Sequence, residues 1–388
     1  MAVARHGAGP TATARALASQ VHPVFMLPPL AASAFGAVLA GQFEAVAGGV
    51  HLAAIFLAVY TAHVKDGYVD FHVRGEDDDH PLTVGGCRLT LVAAAVAYLG
   101  AMFVLWTQAG GLAAMLTAPT WLIGYFHAPQ LDTNPLGATL GYPVGVALAL
   151  VGGFAASAGV LTPVPVAFAA VLLIVLSGVK VVDDATDLGY DRSIEKRTVP
   201  VVLGADRART LANVLLGAGL VTVLWFTVDG VFPPSAPVAA VLLGAVAAVA
   251  ARRPPSVATP LLVRGAYVFL AVLVAAVWYS PLVGRPLPDI GVFGPYTYLA
   301  TEVAFGTLAA LMLHRAGTWW SAARTIAVLY PLAYVWDWYT LEVGVFAIPL
   351  RTGIEFVGIP LEEHLFMVVV PALVIGIHET LTSDPDPA

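Results

Sequence analysis

The sequence predicts an all-α polytopic membrane protein, a nine-helix bundle followed by a three-helix unit. Three observations carry this. Of 388 residues, 59% are hydrophobic and only 11% charged, where a soluble domain carries roughly 25% charged residues; the mean hydropathy is +0.83. Apolar runs of bilayer-spanning length recur twelve times along the chain. The basic residues gather on one side of those runs.

Residues 1–20 are small and polar, with Arg5 and Arg15, and read as a flexible or interfacial lead-in. Candidate spans follow at 22–42, 45–64, 89–107, 110–127, 138–160 and 163–182. They continue at 209–228, 235–251, 260–282, 292–313, 324–347 and 357–378. With the N-terminus inside, all 18 Lys and Arg residues except Arg285 and Arg351 lie at cytoplasmic ends, as the positive-inside rule expects of twelve spans. The N-terminus lacks the basic segment and small-residue cleavage site of a signal peptide, so the first run is expected to be retained. An integral protein of the cell membrane is the resulting expectation.

The net charge of -7 comes from clustered loop acids, and no nucleic-acid partner is expected. The single cysteine, Cys87, excludes an intramolecular disulfide.

Two acidic stretches stand out. After the sixth span comes Asp183-Asp184-Ala185-Thr186-Asp187-Leu188-Gly189-Tyr190-Asp191-Arg192. Asp183, Asp187 and Asp191 are spaced four residues apart, so a continuing helix would stack them along one face. Three acids so close repel one another unless cations share them, and Mg²⁺ favours carboxylate and phosphate oxygens. Arg192, Lys196 and Arg197 stand just beyond, where they could hold phosphate. A solvated loop is the competing reading. Against it, the second span runs into Asp66 and Asp70, again four apart, then Arg74 and Glu76-Asp77-Asp78-Asp79. Both stretches open on the same predicted face. Two acidic helix ends facing each other could hold two Mg²⁺ ions and a diphosphate.

The pair resembles the UbiA superfamily of intramembrane prenyltransferases. The segment from Asp187 through Asp191, Arg192, Lys196, Arg197 and Thr198 to Leu203-Gly204 is similar to that family's second aspartate motif with its trailing basic segment. The first stretch is looser. Where the family often has an asparagine four residues before an aspartate, this chain has Asp66 before Asp70, and Arg74 stands where a third acid would fall. Tyr125 through Pro129 looks like the family's Tyr-x-x-x-Pro segment. The resemblance covers about residues 20–282, so a prenyltransferase domain is expected over 21–284. It implies metal ligands among Asp66, Asp70, Asp183, Asp187 and Asp191, with Arg74, Arg192, Lys196, Arg197 and Tyr125 on a prenyl diphosphate. Neutralising the leaving group would then favour an allylic cation, attacked by an electron-rich acceptor in the apolar bundle.

Beyond Arg285 the texture changes. Tryptophans become dense, and Glu302, Asp337, Glu342, Glu362 and Glu363 interrupt apolar runs. An ionisable group inside a span is a functional hypothesis by default, because placing it there costs several kcal/mol. Adjacent Glu362 and Glu363 cannot face the same way on a helix. A packing role for any one of these acids is the plain alternative, and the better reading for Glu342. Pro295-Tyr296-Thr297-Tyr298-Leu299 with Glu302, Trp336-Asp337-Trp338, and Gly358-Ile359-Pro360-Leu361-Glu362-Glu363-His364 resemble the small membrane lycopene cyclase domain. The match spans about 285–380, with 381–388 a tail. It implies catalytic Glu302, Asp337, Glu362 and Glu363, a glutamic acid protonating a terminal polyene double bond. That family uses two such units. A second cyclase subunit or a homodimer is therefore an expected partner.

Together the two resemblances suggest transfer of a prenyl group, dimethylallyl being the expected donor, to the end of lycopene or a related polyene. Cyclisation of the extended C50 end would follow. Three rivals stand beside this: a transferase acting on a quinone precursor or glycerol ether lipid with a non-catalytic tail, a cation transporter using the same acids, and a purely partner-binding tail.

Overall fold

In the computed structural model, residues 2–41, 44–194, 196–284 and 290–382 are described; the expectation for Arg285 lies outside them. The chain divides into two compact units, Met1–Gly284 and Arg285–Ala388.

The first unit is a helical bundle. A short helix α1 (Pro10–Ala18) leads into α2 (Pro23–Leu39), α3 (Ala45–Val69), α4 (Val84–Ala109), α5 (Gly111–Phe126), α6 (Pro135–Ala158) and α7 (Pro163–Asp184). Two short helices, α8 (Leu188–Ser193) and α9 (Val199–Leu203), precede α10 (Ala205–Val228), α11 (Pro237–Ala250) and α12 (Pro255–Tyr279). The starts are legible chemistry. Proline at the first helical positions of α2, α6, α7, α11 and α12 fits where the missing N–H costs nothing. Asn134 caps α6 by accepting from the Leu136 and Gly137 N–H groups.

The core runs through α6 and α7, which carry the densest burial; Phe168, Leu150, Val171 and Val175 are all inaccessible. Large apolar side chains such as Trp106, Val221 and Val241 lie outward, the surface a lipid solvent wants. Small residues set the tightest crossing. A Cβ on Gly36 of α2 would strike the Leu150 carbonyl of α6, and one on Gly153 of α6 would strike the Ser33 carbonyl of α2. Close backbone approach through such residues is how membrane helices gain packing without a hydrophobic drive.

Every expected apolar run contains a helix, the shortest being the 14 residues of α11. Among the described residues, though, eight helices are long and apolar enough to cross a membrane, or nine if the α1–α2 pair, bent by 69°, is one span. The count of twelve is thus not reached by this measure. α5 has only 16 residues, and α14 (Trp319–Glu342) dilutes its apolar face with Arg324, Asp337 and several indole and phenol rings.

Residues 2–20, read from sequence as a flexible or interfacial lead-in, are held against the first loop. Ala4 bridges Leu82 as an antiparallel pair, the Arg5 N–H donates to the Pro81 carbonyl at 2.8 Å, and the Arg5 guanidinium sits 4.3 Å over the Phe71 ring. Thr83 Oγ1 donates to the Ala2 carbonyl, and the Tyr60 hydroxyl to that of Leu17.

The second unit has α13 (Thr297–Ala316), α14 and α15 (Leu361–Thr382), with a two-stranded hairpin, β1 (Glu355–Phe356) and β2 (Ile359–Pro360), before α15. α15 packs on both other helices.

Candidate active site

A cavity of about 1250 Å³ opens among α2, α3, α5, α6, α7 and α12. Its walls are apolar (Phe35, Ile55, Leu172, Val175, Phe269), and one end carries Asp66, Asp70, Asp77, Lys180 and Asp183. The two acidic stretches, more than a hundred residues apart, therefore meet at one mouth.

α3 reaches that mouth unbroken. Asp66 lies in its last turn, and a π-helical turn over Asp70–Arg74 extends the run. Gly75, at φ 67°, then ends it in the left-handed conformation that glycine adopts without penalty. Among the described residues the Asp66 carboxylate makes no hydrogen bond and no ion pair within 4 Å, and it faces the cavity with Lys196 and Arg74 acting on it only from further away. That suits a carboxylate kept for a divalent ion.

α7 behaves differently. It stops at Asp184, and the chain turns before α8 begins at Leu188. Asp183, Asp187 and Asp191 consequently do not climb one helical face, which corrects the continuous-helix expectation. The turn is closed by the backbone, the Thr186 N–H donating to the Asp183 carbonyl at 2.9 Å, while the Asp183 and Asp184 side chains go to Lys180. Asp183 stays on the cavity, 3.2 Å from the Lys180 ammonium, which also holds Asp184 at 2.6 Å. Asp187 is exposed at the start of α8. Asp191 is buried and accepts from Thr198 Oγ1 at 3.0 Å. Burial pushes its carboxyl pKa up, opposed by the Thr198 hydroxyl and the Lys196 charge. Neither Asp187 nor Asp191 lines the cavity.

The basic residues separate in the same way. Arg74 is the centre of a charged junction: its guanidinium meets Asp132 at 2.7 Å, Asp70 at 3.3 Å and Glu76 at 3.5 Å. Glu76 in turn accepts from the Tyr190 hydroxyl at 3.3 Å and lies 4.0 Å from Lys196 Nζ. This chain of contacts stitches the first stretch to the second. Arg192 and Arg197 point to the surface. Tyr125 is stacked on Trp121 at 5.1 Å and carries the Lys65 ammonium 4.9 Å over its ring, away from the cavity lining.

Asp132, Lys180 and a set of cavity histidines (His22, His63, His127) were not singled out by sequence reasoning. Asp132 did carry a signal: it is the sole acidic residue between Asp79 and Asp183. The close group His72, His80 and Cys87, ligand atoms within 4.8 Å of one another, serves the loop. His72 Nε2 bonds the Leu82 carbonyl at 3.0 Å, and His80 Nδ1 takes the Leu82 N–H at 3.2 Å.

In the second unit, Glu362 is 2% exposed and accepts from both the Thr352 N–H at 2.6 Å and its hydroxyl at 2.7 Å. Glu363 instead lies close enough to Asp337 of α14 and Glu302 of α13 for their charges to interact. Glu302 is buried, and its Oε2 has no partner among the described residues. His364 ties three elements together, accepting from the Tyr330 hydroxyl at 2.6 Å and donating through Nε2 to the Phe356 carbonyl at 2.7 Å.

No family model matches the chain, and no curated protein does. Solved structures do. One concerns digeranylgeranylglyceryl phosphate synthase in membranes; it shares 14% identity over 69% of this chain and 99% of its own, with a TM-score of 0.56. Two others are of a UbiA homolog from Archaeoglobus fulgidus, bound to GPP and Mg²⁺ (15% identity, TM-score 0.45) and to DMAPP and Mg²⁺ (17%, 0.41). Each again covers 69% of this chain and 99% of the other. The likeness is one of fold, and the first of these structures carries it.

Proposed function

We propose that the first unit transfers a prenyl group from an allylic diphosphate, dimethylallyl diphosphate first, to the end of lycopene, and that the second unit contributes to acid-catalysed ring closure of the extended C50 end. The observation that carries the transferase is the convergence of Asp66, Asp70 and Asp183 at the mouth of one apolar cavity. Hard carboxylate oxygens at such a mouth suit Mg²⁺, and the uncommitted Asp66 fits that use best. When bound, Mg²⁺ would neutralise the diphosphate as it leaves.

The chain's own groups do the rest. Lys180 and Lys196 add positive charge beside the acids, favouring a diphosphate over an uncharged lipid head. The apolar walls exclude water, so the allylic cation meets carbon rather than hydroxide. The shape of the cavity holds donor and acceptor ends together, and that positioning lowers the barrier. Asp191 then supports the site from behind: it anchors the segment that carries Lys196, through Thr198.

For the second unit, the closeness of Glu363 to Asp337 supports the proton donor. Neighbouring carboxyl groups disfavour a second negative charge, so one of them would keep a proton that can pass to a terminal double bond. An internal alkene closes the ring, and a proton then returns from carbon to the carboxylate. Glu362, held by Thr352, fixes the start of α15. Because ring closure is redox-neutral, it needs no further reactant.

Pigment extracts from a lycopene-producing host expressing the chain test both parts. Cyclic C50 products support both activities, and extended acyclic products the transferase alone. Unchanged lycopene with prenylated quinone precursor or glycerol ether lipid would move the acceptor to those classes. Glu363→Gln should stop cyclisation and spare extension; loss of extension in that variant would overturn the division of labour.

A further inference from the structure

The guanidinium of Arg74 is shared unequally among three acids. Asp132 takes it with two prongs, Nη1 to Oδ2 at 2.7 Å and Nη2 to Oδ1 at 3.1 Å. Glu76 faces Nε at 3.5 Å. Asp70 touches it through one oxygen only, at 3.3 Å. Asp132 is 8% exposed and fixed by its own backbone, whose N–H donates to the His127 carbonyl at 3.0 Å, just before the Asn134 cap of α6. It does not line the cavity; its charge reaches Asp66 from a distance, while its side-chain hydrogen bonds go to Arg74.

The consequence follows from charge and geometry. Arg74 stands four residues beyond Asp70 on the same run of helix. Released from Asp132, its fork would find Asp70 the nearest carboxylate, and a two-pronged pair would occupy both oxygens. A carboxylate so neutralised attracts a divalent cation far less. We propose that Asp132 is a positioning residue for cation binding: by gripping Arg74 it keeps Asp70 available beside Asp66. This rests on the reading of Asp66 and Asp70 as cation-holding groups. A merely structural tie between α3 and the α5–α6 connection would leave cation affinity untouched.

The test uses the full chain in detergent, with Mn²⁺ as probe, followed by electron paramagnetic resonance without substrate. Asp132→Asn should raise the Mn²⁺ half-saturation concentration about 10-fold, the effect expected of a group that orients a ligand. Arg74→Gln/Asp132→Asn should bring it back to about the parent value. No weakening in the single variant, or no recovery in the double, overturns the proposal. Should Asp132→Asn fail to fold, Arg74→Gln alone decides: it should bind Mn²⁺ at least as tightly as the parent, and weaker binding overturns the idea. Asp66→Asn/Asp70→Asn is the control for the reading beneath. Unchanged Mn²⁺ binding there would remove the cation site itself, a result distinct from failure of Asp132 alone.

Discussion

The two acidic helix ends share a four-residue spacing and reach the same cavity, yet they use their acids differently. α3 stays helical through Asp66 and into a π turn at Asp70, so both carboxylates remain at the mouth. α7 stops at Asp184, leaving Asp183 on the cavity while Asp187 goes to the surface and Asp191 to Thr198. Spacing alone says that two acids could share a face. Where the helix ends decides whether they do.

The sharpest way to break this comparison is to remove one acid from each end. Asp66→Ala and Asp183→Ala should each lower prenyl transfer by about 100-fold or more, the scale of losing a preorganised charge-stabilising group. Asp187→Ala should cost less than either. Equal losses in all three, measured by product formation in membranes, would restore the stacked-carboxylate picture.

The seam between the ends comes next. Glu76→Gln removes the charge and one of the two acceptor oxygens shared by Arg74, Tyr190 and Lys196. Leaving those partners short should destabilise the protein by about 1–3 kcal/mol, read as a lower thermal midpoint in detergent, together with reduced transfer. Unchanged stability would mean the ends are held together by helix packing alone.

A third variant probes that packing. Gly153→Val forces a side chain onto the Ser33 carbonyl, and overpacking of this kind costs about 1–3 kcal/mol. It should lower the midpoint without shifting Mn²⁺ half-saturation, separating the bundle from its mouth. The smallest effect belongs to Thr198→Val, which deletes one hydrogen bond to Asp191 for about 1 kcal/mol. A large loss of metal binding there would promote Asp191 from a support to a ligand.

Much of this was legible in the chain. The span expected at 138–160 is α6, Pro135–Ala158, because an asparagine followed by proline marks its start and a glycine its end. The convergence of the acids was legible too, since the spans before them run in the same direction. Three things were not. The stop after Asp184 is a backbone turn, Thr186 N–H to the Asp183 carbonyl, that a four-residue count does not reveal. Asp132 is isolated in sequence, and only the tertiary fold brings it to Arg74, 58 residues away. That Glu362 and Glu363 part was legible from their adjacency, but the partners they part to, Thr352 and Asp337, no periodicity reveals.

The loop beyond Arg74 is fastened on both edges, by Ala4 and Arg5 on one side and by Tyr190 on the other, 114 residues from Glu76. Its final shape therefore cannot be reached early in synthesis. The ribbon at the start of the chain can settle once Leu82 has emerged, but the far edge must wait for Tyr190 and Lys196 to leave the ribosome. Until then the loop next to the first pair of acids is held along one edge only.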